Sequence, residues 1–162
     1  MRVSGILLFT LIFFTTGCSL FNSEDEISDK LVGTWEHEVA VNTEQGIKVI
    51  HNYHFMDINT YEIIEEQYDL QGNFLGYRLF RDGSYSLIDN NLVMKTDQAF
   101  RSENADLYPT IEELKASGVE DKGANQEEYR TEFSNSNSTV TLYFDCPPNA
   151  SCIAPPVLNR IL

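Results

Sequence analysis

"GTWEHEVAVNTEQGIKVIHNYHF", Gly33 to Phe55, alternates apolar and polar residues on either side of a short loop. Trp35, His37, Val39 and Val41 fall on one face, with Thr34, Glu36 and Glu38 on the other. After residues 42–46 the same period returns in Ile47, Val49, His51, Tyr53 and Phe55. A period of two marks strands that bury one side. A loop centred on Glu44 pairs Trp35 with Tyr53 and His37 with His51. A one-residue slip would turn the apolar set of the second strand away from Trp35, so this parity is strongly preferred.

The alternation continues outward from this hairpin. Tyr61, Ile63, Glu65 and Gln67 form a third inward series, and residues 69–73 turn the chain toward Leu75, Tyr77 and Leu79. "RDGS", Arg81 to Ser84, reads as a turn or a glycine bulge before Tyr85 and Leu87, and residues 89–91 as a tight turn before Leu92 and Met94. The pattern breaks over residues 97–126. There Thr110 and Glu113 stand at capping-box spacing, Ile111 and Leu114 share a face, and Gly118 stops a short helix. That helix is expected in a long connection, as a lid across one end of the fold. Strands resume at Tyr129–Phe133, at Val140–Phe144 and over residues 157–162. Short strands joined by tight turns, apolar on one side, bury that side and lose their edges by closing. The expected fold is an all-β antiparallel up-and-down barrel of about eight strands over residues 31–162, whose interior holds side chains or one small ligand.

Before the barrel lie two segments of different character. Residues 1–17 have one basic residue, Arg2, and a short apolar run over residues 6–14 that ends in Thr15, Thr16 and Gly17 before Cys18. The run is too short for a membrane span and suits a signal peptide. Residues 18–30 are polar and acidic, as expected of a flexible tether. The net charge of −14 argues against nucleic acid or an anionic membrane surface as a partner, because both would repel it. Cys146 and Cys152, the close pair in "CPPNASC", are read as a disulfide in an exported chain; two cysteines without nearby histidines make a poor zinc site.

Loops centred on Glu44, near Ile58 and on Gln71 place His37, His51, Glu65 and Tyr77 in one polar row across four strands. Cross-strand neighbours lie about 5 Å apart at Cβ, within reach of a shared ligand or proton. Three readings fit such a row. It is a hydrogen-bonded belt in a filled core, or it fixes the polar end of a small ligand whose apolar part lies on Tyr53, Phe55, Leu75 and Met94, or it holds a metal through two histidines and a carboxylate. No local ligand motif backs the metal, and none is assigned. Catalysis has no footing either. There is no Gly-x-Ser-x-Gly, phosphate-binding glycine loop, His-Glu-x-x-His or Cys-x-x-Cys, and the adjacent Glu65 and Glu66 point to opposite faces of a strand. No catalytic residue and no cofactor are expected.

"TTGCS" at residues 15–19 resembles the lipobox of bacterial lipoproteins, with Thr15 where that pattern prefers leucine. The resemblance implies a lipidated Cys18 as the mature N-terminus and membrane attachment through that anchor. "SEDE" at residues 23–26 resembles a surface-export signal, and Ser19 is not the aspartate of inner-membrane retention, so the outer membrane is implied. "LVGTWEHE", "YHF…TYEI", "GSYSLIDNNLVM" and "LNRIL" together resemble the order of elements in bacterial lipocalin-like lipoproteins. That resemblance implies that Gly33 and Trp35 form the motif closing one end of the barrel, with Arg160 packed over the indole. It also implies a non-catalytic envelope protein that binds a small, partly apolar or amphipathic ligand. The alternative is an interaction module with a filled core, binding envelope proteins or glycans through its surface or through residues 97–126.

Overall fold

The structure, a computed structural model, describes residues 29–56, 59–121, 126–145 and 154–161. Cys18, Cys146 and Cys152, and with them the expected lipid anchor and disulfide, lie outside the described residues, as does most of the expected tether.

After a helical turn at residues 29–31, nine strands follow in chain order. They are β1 (Gly33–Asn42), β2 (Ile47–Phe55), β3 (Thr60–Asp69), β4 (Phe74–Ile88), β5 (Asn91–Arg101), β6 (Val119–Glu120), β7 (Gln126–Ser134), β8 (Thr139–Tyr143) and β9 (Val157–Ile161). The pairings are antiparallel throughout. β9 returns to β1, so β1, β2, β3, β4, β5, β7, β8 and β9 close an eight-stranded barrel, and β6 extends the wall beside the end of β5. Asp89 and Asn90, at φ 49° and 65°, are both left-handed, as a two-residue hairpin between right-twisted strands requires.

Inward residues of successive strands build the core. Trp35, Phe55, Tyr61, Leu92, Met94, Val140, Leu142 and Leu158 are essentially without solvent contact. They cluster with Leu31 toward the end where β1 begins. Trp35 is held there on three sides. Its Nε1 donates to the Leu31 carbonyl at 2.7 Å, Phe133 meets it edge-on at 6.4 Å, and the Arg160 guanidinium carbon lies 4.3 Å from its ring centroid. Arg160 also donates to the carbonyls of Val32, at 2.8 Å, and Lys30. Gly33 is required beneath it: φ is +132°, and a Cβ would stand 2.9 Å from Arg160 Nη1. Gly33, Trp35 and Arg160 therefore form one closed-end assembly.

The helix Ile111–Ser117 starts as expected, with Thr110 Oγ1 accepting from the Glu113 amide at 3.1 Å. It is not a lid. Leu114 is buried and Lys115 Nζ sits 3.6 Å from the ring centroid of Phe80, an outward residue of β4, so the helix covers the outer wall of β4 and β5. Two boundaries also move. β5 runs on to Arg101 and β7 begins at Gln126, which shortens the expected interruption from both sides.

The wall is uneven in height. β9 pairs with β1 only at Thr34, Trp35 and Glu36, and β8 pairs with β7 only over Arg130–Ser134. Among the described residues, β1 beyond Glu36 and β7 before Arg130 have no ladder partner on their facing sides. At the end of the barrel opposite Trp35 the described strands thus leave a notch between β1 and β7.

Candidate functional site

The cross-strand arithmetic holds across the first three strands. Trp35 stands opposite Tyr53, His37 opposite His51, and His51 opposite Glu65. His51 Nε2 lies 3.2 Å from Glu65 Oε2. Burial raises the Glu65 pKa, but the hydrogen bond and charge of His51, with Gln67 and Arg78, outweigh it, and the net direction is downward. His37 turns elsewhere: its Nδ1 donates to the Val157 carbonyl at 3.1 Å. That bond continues the contact between β1 and β9 just where their backbone ladder has ended. Burial lowers the His37 pKa, with the Val157 carbonyl acting against it and neighbouring His51 adding to it. Among the described residues no group of three or more His, Cys, Asp or Glu is arranged to hold a metal ion.

The fourth member of the row is elsewhere. Glu65 stands opposite Leu79, and Tyr77 stands opposite Glu66. Irregularities between Glu65 and Glu66 and between Gln67 and Tyr68 shift the register of β3 against β4. Tyr77 consequently lies on the outer wall, bridged to Tyr108 and 4.8 Å from the ring of Phe74. Gly76 marks the distortion, with φ +151° and the side chain of Leu107 where a Cβ would stand. Two apolar expectations change with it. Phe55 is packed in the core beside Tyr85 rather than lining a cavity, and Leu75 is exposed. In β1, a bulge between Glu38 and Ala40 leaves Val41 opposite Lys48 and exposed.

Above the core lies a cavity of about 240 Å³. His37, His51, Tyr53 and Met94 line it as expected. Arg81 and Glu127 line it too, and sequence reasoning missed both. Arg81 Nη1 donates to Glu127 Oε1 at 2.9 Å, reaching from β4 past β5 to β7, and Tyr129 donates from its hydroxyl to Glu127 Oε2 at 3.0 Å. Burial works against the charge on Arg81, but Glu127 more than compensates and the net direction of its pKa is upward. Burial pushes the Tyr53 hydroxyl up to about 12, with the Glu127 charge adding to it and Arg81 opposing. Tyr129 moves upward for the same reasons, burial first and Glu127 second.

Arg81 is inside because β4 does not turn at "RDGS". The strand continues through a bulge between Asp82 and Gly83, where a Cβ on Gly83 would stand 2.0 Å from the Lys95 carbonyl oxygen. The cavity therefore has an ion pair within it and walls of Val39, Ile63, Leu79, Met94 and Pro156. A second hollow, lined by Glu127, Glu128, Tyr129, Phe144 and Pro156, shares Glu127, Tyr129 and Pro156 with it.

No family model matches this chain, and no curated protein matches it.

Proposed function

We propose that this protein is a bacterial envelope lipoprotein whose barrel binds a small, partly apolar molecule without chemically altering it. One observation carries the reading: a cavity of about 240 Å³ in which Arg81, Glu127, His37 and His51 converge on apolar walls. Few polar groups among apolar ones is the usual composition of a binding pocket. The volume falls below the roughly 300–1,000 Å³ of drug-sized sites, so a compact ligand is favoured over haem or a long acyl chain. Lipidation at Cys18, an outer-membrane location and a Cys146–Cys152 disulfide belong to the same proposal and rest on the sequence.

The test is native mass spectrometry of the protein purified as the cell makes it, in a nonionic detergent. A non-covalent adduct of small mass is expected, lost in variants that fill the cavity, such as Leu79→Trp. A bare mass, with no thermal shift from any small-molecule panel, would remove the carrier reading. The same spectra report whether residues 1–17 are absent and Cys18 is acylated.

A second reading draws on the outer wall. Tyr68, Phe74 and Tyr77 form a run of ring contacts at 5.7 and 4.8 Å, next to Glu66 and Asn52, which are joined at 2.9 Å. Rings beside carboxylate and amide groups suit a glycan, and this surface favours the interaction module. Loss of glycan-array binding on Phe74→Ser, with the cavity bare, would select it.

A further inference from the structure

We infer that the cavity is built for a small zwitterion, a molecule carrying an ammonium and a carboxylate on one carbon with an apolar substituent, as in a free apolar α-amino acid. The inference rests on the binding reading above and names its ligand class. The central observation is the ion pair of Arg81 and Glu127, 2.9 Å apart on the cavity wall with side chains 27% and 40% exposed. Placing opposite charges in a part-enclosed site costs desolvation that an apolar pair of similar volume avoids. Here the two groups keep access to the cavity, so their charges remain available to a ligand.

Charge matching narrows the class. A singly charged ligand can match only one partner and must compete with the other for it. A zwitterion answers both at once. Its carboxylate meets the guanidinium, which carries five N–H donors in a planar fork and spends Nη1 on Glu127. Its ammonium meets the Glu127 carboxylate, whose two oxygens have more acceptor positions than Arg81 and the Tyr129 hydroxyl fill. The rings of Tyr53 and Tyr129 line the same space, and aromatic rings attract cations. The substituent then has Val39, Ile63, Leu79 and Met94 to lie on. The cavity volume of about 240 Å³ suits a molecule of this size.

Isothermal titration calorimetry on the whole purified protein tests the class with named probes. L-leucine and L-phenylalanine are the zwitterions. Leucinamide lacks the carboxylate, and N-acetyl-leucine lacks the ammonium. At least one amino acid is expected to bind, with each blocked analogue weaker by about tenfold or more, because each forgoes one charge-assisted contact in the part-enclosed site. Arg81→Gln should erase the preference over leucinamide, and Glu127→Gln the preference over N-acetyl-leucine. The comparison of ligands on the unaltered chain does not depend on either variant folding. Equal binding of blocked and free ligands would overturn the inference. So would silence with both amino acids: if native spectra still carried an adduct, the cavity would bind another class, and if they were bare, the binding reading would fall as well.

Discussion

His37 donates from Nδ1 to the carbonyl of Val157, 120 residues further along the chain, at 3.1 Å. The bond ties β1 to the start of β9 at the edge of the notch. Burial lowers the His37 pKa from its ordinary 6.5, so the folded chain binds fewer protons than the unfolded one just below that value. Stability is therefore complete above 6.5 and declines as the pH falls through 6.5 toward the folded value. The melting temperature of the unaltered protein should drop over this range, and that of His37→Asn, which keeps a side-chain amide donor but does not titrate, should drop less. Parallel curves would dissociate His37 from the acid response. Glu65 is separable, because its depressed pKa removes stability only as the pH falls below the ordinary 4.5 of a carboxyl group.

Arg160 holds the closed end by its ring contact with Trp35 and by bonds to two carbonyls. Arg160→Ala should lower unfolding free energy by about 2–4 kcal/mol, summing a cation–π contact and charged hydrogen bonds. Arg160→Lys should recover only a minor part, since one ammonium cannot span the Val32 and Lys30 carbonyls while covering the indole. Gly33→Ala should be destabilising for an independent reason, the positive φ and the approach of Arg160. Chemical denaturation followed by tryptophan fluorescence measures all three. Full recovery with lysine would reduce the role of Arg160 to its charge.

The Arg81–Glu127 pair should matter little for stability. With both side chains partly exposed, its contribution is screened, and Glu127→Gln is expected to cost about 1 kcal/mol or less in urea unfolding. A cost several times larger would identify a brace between β4 and β7 rather than a site.

Gly83 should be irreplaceable. A Cβ there would lie 2.0 Å from the Lys95 carbonyl oxygen and 3.0 Å from Thr96 Cα, and neither backbone atom can yield cheaply. Gly83→Ala is expected to cost about 3 kcal/mol or more, near the severe end for single substitutions. Wild-type-like denaturation would show that the bulge relaxes.

That bulge also marks where the sequence stops being readable. The hairpin of β1 and β2 could be paired by arithmetic because its loop is short and its inward residues alternate cleanly up to Glu38. The same procedure places Tyr77 inside, because the two extra residues of β4, Leu75 and Arg78, have no local signal beyond the neighbouring Gly76. Asp82-Gly83 reads equally as a turn or a glycine bulge, and only long-range pairing with β5 selects the bulge and carries Arg81 inside. Glu127 was lost at a boundary, although Glu127, Tyr129, Thr131 and Phe133 share one parity. Local composition thus exposes the strands, whereas the charged pair depends on irregularities that tertiary pairing imposes.

Closure by β9 sets the order in which this chain can finish folding. Arg160 reaches carbonyls 128 and 130 residues back, so the strand that closes the barrel supplies the cap for the one that opens it. Contacts of such sequence separation are slow to form, and the cover that Arg160 gives the indole of Trp35 is of that kind. Because Trp35 is the single tryptophan, its emission reports the moment the ring of strands seals. Refolding watched at that wavelength follows the packing of Leu31, Phe133 and Arg160 around one ring.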